Sequence, residues 1–172
     1  MPRPLPGEVF HVLTTDDLRA QQRVVDALLM LSSDNAEYLH DIQRGRVIGF
    51  VIEFEQTLVH YSYLFLRNKT ACILGLDVKT ALIGNAFTVP IYRGKGAQAR
   101  SVKARASLAH GAGYQSILAE TSPDNVASQR GMLKGGMRLL GRMDLWVALT
   151  MFVFRRRKPA GFSPLGVCLS RG

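Results

Sequence analysis

Apolar and polar positions change period along the chain, and the changes mark out its elements. Glu8 to Leu13 reads as a short strand, and Thr14-x-x-Asp17 has the spacing of a capping box opening a helix. Leu18, Val25, Leu28 and Leu29 then share one helical face. A second short helix spans about Asn35 to Gln43, with Gly45 placed to end it. Val47–Phe54, Leu58–Leu66, Thr70–Leu74 and Thr80–Val89 read as four strands of an antiparallel meander, broken by Glu55-Gln56, Arg67-Asn68-Lys69 and Gly75 to Lys79. Pro90 stops the last of them, because proline cannot donate to a ladder.

The second half carries helical and extended segments in turn. Arg93-Gly94-Lys95-Gly96 is a turn into an Ala-rich helix over about Ala97 to His110, closed by Gly111 and Gly113. Gln115–Glu120 reads as a strand, so Leu82 to Glu120 forms a strand, turn, helix, strand unit whose two strands should lie parallel with a right-handed crossover. Ser122-Pro123-Asp124 opens a helix to about Lys134, and Gly135-Gly136 closes it. Strands are expected at Met137–Arg142 and Leu145–Phe154. Residues 155–172 start with four basic residues and are expected to carry little fixed structure. The pattern has no internal repeat. It predicts one α/β (α+β) domain over residues 8–154 with a basic C-terminal tail, 155–172.

Composition narrows the class. A chain of 172 residues, 47% hydrophobic and 20% charged, can bury a core and is neither coiled coil nor disordered. Met1 to Gly7 has no apolar stretch of the secretory type behind it, and the longest apolar run, Leu145 to Phe154, is half of what a membrane-spanning helix needs. Cys72 and Cys168 are 96 positions apart with no C-x-x-C spacing, which points to neither a disulfide framework nor zinc and makes a reducing cytoplasm the expected compartment. Charge is uneven. Residues 1–90 carry 8 basic and 10 acidic groups, net −2, whereas residues 91–172 carry 14 and 3, net +11. The C-terminal half should face an anion: a phosphorylated cofactor, nucleic acid or an acidic membrane surface.

The anion cradle is legible in Val89-Pro90-Ile91-Tyr92-Arg93-Gly94-Lys95-Gly96-Ala97-Gln98. Two glycines let the backbone curl with its N–H groups inward, the helix from Ala97 adds its positive end, and Arg93 and Lys95 add whole charges. An ordinary strand-to-helix turn would use the same glycines for geometry alone. The segment is neither a Walker loop nor a G-x-G-x-x-G dinucleotide turn. It resembles the acyl-CoA signature [Q/R]-x-x-G-x-[G/A] of the GNAT superfamily of N-acetyltransferases, with Arg93 and Gly96 in register and Gln98 where glycine or alanine is usual. Asn125-Val126-Ala127-Ser128 followed by Lys134-Gly135-Gly136-Met137 resembles the same family's N-x-x-[S/A] helix and K-x-G-F ending.

The resemblance implies a mostly antiparallel central sheet whose fourth and fifth strands splay, with helices on its faces and acetyl-CoA as co-substrate. It places the pantetheine arm against the backbone of Phe87, Thr88 and Val89, and the pyrophosphate on the amides of Gly94, Lys95, Gly96, Ala97 and Gln98, with Arg93 nearby. Arg100, Lys103 and Arg105 either reach the phosphates or form a solvated helix face. Asn125 and Ser128 would meet the pantetheine or thiol end. The acceptor implied is a primary amine, on a small molecule or a protein N-terminus, and a homodimer is compatible with the pattern.

Amide formation from a thioester needs a base, an oxyanion donor and a route for the thiolate. Backbone N–H groups near Thr88 or Val89 suit the oxyanion. Glu120, five residues before Asn125, stands where the branch that acetylates ribosomal-protein N-termini has its proposed base; it could equally cap the next helix. His60, inside the predicted strand Leu58–Leu66, suits proton transfer by its ordinary pKa. Glu53 and Glu55, two apart on one strand face, are candidates for a cationic acceptor or a water relay. Many relatives carry a tyrosine seven residues after the asparagine; here it is Met132, so water or Tyr63 would protonate the thiolate, or it leaves unprotonated. Two other readings stay open: an acyl-CoA-binding module with weak turnover, and attachment to anionic surfaces through Arg155 to Lys158. Nucleic acid is disfavoured, since no aromatic-plus-basic RNA motif is present.

Overall fold

The computed structural model describes residues 1–66, 69–149 and 151–168. Its main sheet has the order β1 (Glu8–Leu13), β2 (Val47–Phe54), β3 (Thr57–Phe65), β4 (Thr80–Thr88) and β5 (Ser116–Ala119). The first four strands are antiparallel neighbours and β5 is parallel to β4, as the crossover pattern predicts. Helices α1 (Asp17–Ala20), α2 (Gln22–Leu31) and α3 (Asn35–Gln43) cover one face, and α5 (Ala97–Gly111) with α6 (Val126–Lys134) the other. Alternate residues of β2 serve the two cores: Val51 packs with Leu28 and Ile42, while Phe50 and Ile52 pack with Ala97 and Ala104 of α5. Both faces of the central strands are therefore apolar, which is why β3 is buried from Leu58 to Phe65.

Several expectations change. Thr70–Leu74 is not a strand but part of a helix, α4 (Lys69–Leu74), closed by a Schellman turn in which Gly75, at φ +77°, lets Leu76 donate to the Ala71 carbonyl at 3.0 Å. A five-residue apolar run carries no period that separates the two forms. Gln21 interrupts the first helix, and the apolar phase shifts: Val24 is buried and Leu29 exposed. Met137–Arg142 forms no strand. Leu145–Phe154 is not one strand but most of a hairpin, β6 (Asp144–Ala148) and β7 (Phe152–Arg156), reversing through Leu149 at φ +49°; Thr150 lies outside the described residues.

Nor is the tail without structure. β8 (Leu165–Val167) pairs with β7 in a separate three-stranded sheet. Arg155, only 6% exposed, donates to the carbonyls of Ile73 at 2.8 Å, Cys72 at 3.0 Å and Ser163 at 3.2 Å, so it caps the end of α4. Beside it Cys72 and Cys168 form a disulfide, with Cα atoms 5.8 Å apart. That corrects the expectation of unpaired thiols and removes their support for a reducing compartment. Among the described residues no helix is long and apolar enough to cross a membrane.

Candidate active site

β5 pairs with β4 only from Thr80 to Ile83, so β4 runs on through Gly84 to Thr88 with its β5 side open. One 3-10 turn, Pro90–Tyr92, leads from β4 into the glycine turn. Gly94 and Gly96 sit at φ +80° and +78°, a conformation glycine adopts without strain, and Gly96 is the N-cap of α5. The first helical bond is Arg100 N–H to Gly96 carbonyl at 3.1 Å, which leaves the N–H groups of Gly94 through Ala99 without an acceptor among the described residues. A side-chain carbon at Gly94 would meet nothing within 4 Å, so the cradle is open. These amides, the positive end of α5 and the exposed Arg93 bring hydrogen-bond donors and positive charge to one place, chemistry that suits an anion.

Arg93 is held there by its neighbours. Its Nε donates to the Thr88 carbonyl at 3.1 Å, and its guanidinium lies 5.9 Å from the Phe87 ring centre. Val89 N–H is spent on the Val59 carbonyl at 3.0 Å. By the alternation of an antiparallel ladder the next pair, His60 and Thr88, is the non-bonded kind, so the Thr88 N–H points away from β3 into the opening. Of the two expected oxyanion donors, Thr88 is free and Val89 is not.

The basic helix residues divide. Arg100 is pinned by an ion pair with Glu8 and by the Lys95 carbonyl at 2.8 Å, Arg105 is buried, and Lys103 is exposed. Lys95 places its ammonium 5.0 Å from the Tyr92 ring. At the start of α6, Asn125 accepts from Ser128 N–H at 3.1 Å, so the two motif residues are locked together at its first turn. Gln98 reaches α6 as well: a carbon added to Gly131 would lie 2.4 Å from its side chain, and one on Gly135 would lie 2.7 Å from Val102. The two glycines, four apart, let α6 approach α5 closely. Met132 packs beside Ile83 and Val102. Glu120 follows the last residue of β5 directly and is exposed at the mouth of the opening.

The other proton-transfer candidates lie elsewhere. His60 is wholly buried; burial, with the charges of Arg105 and Arg100, lowers its pKa to about 3, and its Nδ1 is 2.8 Å from Thr88 Oγ1. Tyr63 donates its hydroxyl to Asn35 Oδ1 at 2.8 Å, and burial pushes its pKa up. Glu53 and Glu55 share no face: Glu53 is buried against Arg23, at 2.6 and 2.7 Å, and His11, at 2.7 Å, whereas Glu55 is an exposed turn residue at φ +48°. Sequence reasoning missed Asn85. A strand-disfavoured residue inside Thr80–Val89, it sits at φ +46° and bonds Tyr38 Oη next to the opening.

No protein-family model matches this chain, and no curated protein matches it by sequence. Solved structures do. The aminoglycoside N-acetyltransferase AAC(6')-Iy in complex with CoA superposes with a TM-score of 0.61 at 17% identity, over 81% of this chain and 98% of that one. The 6'-N-acetyltransferase AAC(6')-Ih from Acinetobacter baumannii gives 0.58 at 13%, covering 83% and 98%. Ribosomal-protein-alanine N-acetyltransferase from Brucella melitensis biovar Abortus 2308 gives 0.56 at 13%, covering 82% and 97%. The chain has the fold of the GNAT acetyltransferases.

Proposed function

We propose that the chain is an N-acetyltransferase that moves an acetyl group from acetyl-CoA to a primary amine. The observation that carries this reading is the run of unbonded amides from Gly94 to Ala99, opening beside the gap between β4 and β5. Those amides and Arg93 would hold the pyrophosphate, and the pantetheine arm would lie in the gap beside Thr88; Phe87, a bonded-pair partner of Tyr61, would offer it no backbone group. Asn125 and Ser128 would flank its thiol end. The CoA bound in AAC(6')-Iy supports the fit.

The amine attacks the thioester carbonyl, a C–N bond forms and the C–S bond breaks. Thr88 N–H stabilises the oxyanion. Glu120, exposed at the mouth, takes the amine proton directly or through water. His60, neutral and buried, supports Thr88 rather than accepting that proton. No side-chain acid is assigned to the thiolate, because Met132 is packing and Tyr63 is committed to Asn35. That gap favours a second reading, an acyl-CoA-binding module without efficient turnover.

Thermal shift with CoA tests the first step. Binding only the folded state raises Tm by mass action. CoA should stabilise the parent protein and not Gly96→Pro, and no shift at millimolar CoA would overturn both readings. Thiol release from acetyl-CoA over a panel of amines then separates the enzyme from the binding module.

A further inference from the structure

Arg105 lies midway along α5 yet is only 1% exposed, and among the described residues no carboxylate pairs with it. Burial lowers its pKa to about 9, so the guanidinium keeps its charge at neutral pH. Its Nη1 donates to the carbonyls of Tyr63 at 3.0 Å and Gly84 at 3.3 Å, and its Nε to that of Ser101 at 3.4 Å. Tyr63 and Gly84 are register partners at the point where the β3–β4 ladder slips. Between these pairs, Tyr61 with Phe87 and Tyr63 with Gly84, β3 has one residue, Ser62, and β4 has two, Asn85 and Ala86. The surplus is a bulge at Asn85, whose backbone is left-handed.

A bulge turns backbone groups out of the ladder, and a buried carbonyl without a donor is costly. Arg105 supplies that donor from the α5 face. From the other face Asn85 bonds Tyr38, whose ring centre lies 4.5 Å from that of Tyr63. Ile83, one residue before Gly84, is the last residue of β4 to pair with β5. Bulge and splay therefore begin at the same place. α5 itself is seated by a second buried contact, Ser62 Oγ to Ser101 Oγ at 2.6 Å, so the guanidinium approaches the strands from a fixed base.

We infer that Arg105 is a positioning residue: its buried fork holds the β4 bulge and so sets the opening between β4 and β5. Nη1 reaches carbonyls on two strands while Nε stays on the Ser101 carbonyl of the same helix, and a lysine, with one nitrogen on a flexible stem, keeps only part of that set. The consequence for cofactor binding rests on the acetyltransferase reading above. The hold on the bulge does not.

The test compares the full-length parent, Arg105→Met and Arg105→Lys by residue-resolved amide exchange and by calorimetry with CoA. Methionine keeps an apolar stem and removes every donor, so Arg105→Met should speed exchange in residues 84–88 at least tenfold relative to residues 80–83 of the same strand. It should also weaken CoA binding at least tenfold, with Arg105→Lys intermediate in both. Uniform change along β4, or a folded Arg105→Met protein that exchanges and binds CoA like the parent, would overturn the inference. Should Arg105→Met fail to fold, Arg105→Lys decides by the same contrast between the two halves of β4. A parent that binds no CoA would sink the acetyltransferase reading and leave the exchange contrast to decide Arg105.

Discussion

Replacing glycine by alanine in a helix has a usual sign, and this fold reverses it at one place. Alanine gains about 0.8–1.0 kcal/mol in helix propensity over glycine and also narrows the unfolded ensemble. Gly111, the last residue of α5, has nothing within 4 Å of where a side-chain carbon would stand, so Gly111→Ala should stabilise by about 0.4–1 kcal/mol. Gly135 caps α6 in the right-handed helical region, φ −74°, so alanine suits its backbone equally. There the added carbon would meet Val102 Cβ and Cγ1 at 2.7 Å and the Met132 carbonyl at 3.1 Å. Val102 is branched at Cβ and 1% exposed, so it has no free rotamer to retreat into. Either α6 moves out or Val102 is forced off its rotamer, and overpacking of this kind costs about 1–3 kcal/mol. The propensity gain offsets part of that. Gly135→Ala should therefore be net destabilising, by up to about 2 kcal/mol. At about 2–4 °C per kcal/mol for a chain of this size, Gly111→Ala should melt about 1–4 °C above the parent and Gly135→Ala several degrees below it. Calorimetric Tm on the two variants checks the signs. A rise in both would mean that α6 does not sit against Val102, and the proposed role of Asn125 and Ser128 at the thiol end would lose its support.

Other perturbations follow from the same geometry. Glu120→Gln should lower kcat by about 10²–10⁴ while the CoA dissociation constant changes little; turnover near the parent's value in a thiol-release assay would remove Glu120 from proton transfer. Reducing Cys72–Cys168, or Cys168→Ser, should cost about 2–5 kcal/mol because the bridge closes a loop of 96 positions, and a non-reducing peptide map that finds free thiols would refute the bridge. His60 is neutral when folded, with its pKa lowered to about 3, whereas the unfolded chain protonates it near the ordinary value of about 6.5. The unfolded state thus binds more protons between those values, and stability falls as pH drops through that window, with a slope of up to about 1.4 kcal/mol per pH unit. In His60→Gln that part of the urea-midpoint slope against pH should vanish, and an unchanged slope would place the titration elsewhere. Glu53 adds an acid limb. Its burial raises the carboxyl pKa, but the bonds and charges of Arg23 and His11 outweigh this and hold it low, so its contribution is present above about pH 4.3 and lost as pH falls through its lower folded value. Glu53→Gln should flatten that limb in the same titration.

Local rules determined much of this protein. The glycine turn, the α5 segment, the parallel pairing of β4 with β5 and the α3 helix with its Gly45 ending all rest on contacts within a few residues, or on a crossover of fixed hand, and each is written where it acts. The amide cradle was legible for the same reason: its donors are consecutive backbone groups. Distance in sequence hid the rest. The hairpin at Leu149 has no turn residue to announce it, and the pairing of Cys72 with Cys168 depends on β8 folding back to the end of α4. Among polar residues only tertiary structure decides which are spent. Glu53, Tyr63, Arg100 and Arg105 look like free chemistry in the sequence, and each is engaged by partners 28 to 92 positions away or, for Arg105, by strand carbonyls 21 and 42 positions away. Burying such groups is tolerable only when they are paired, so the packed core that removes them from water also chooses their partners, while Glu120 and Arg93 stay exposed.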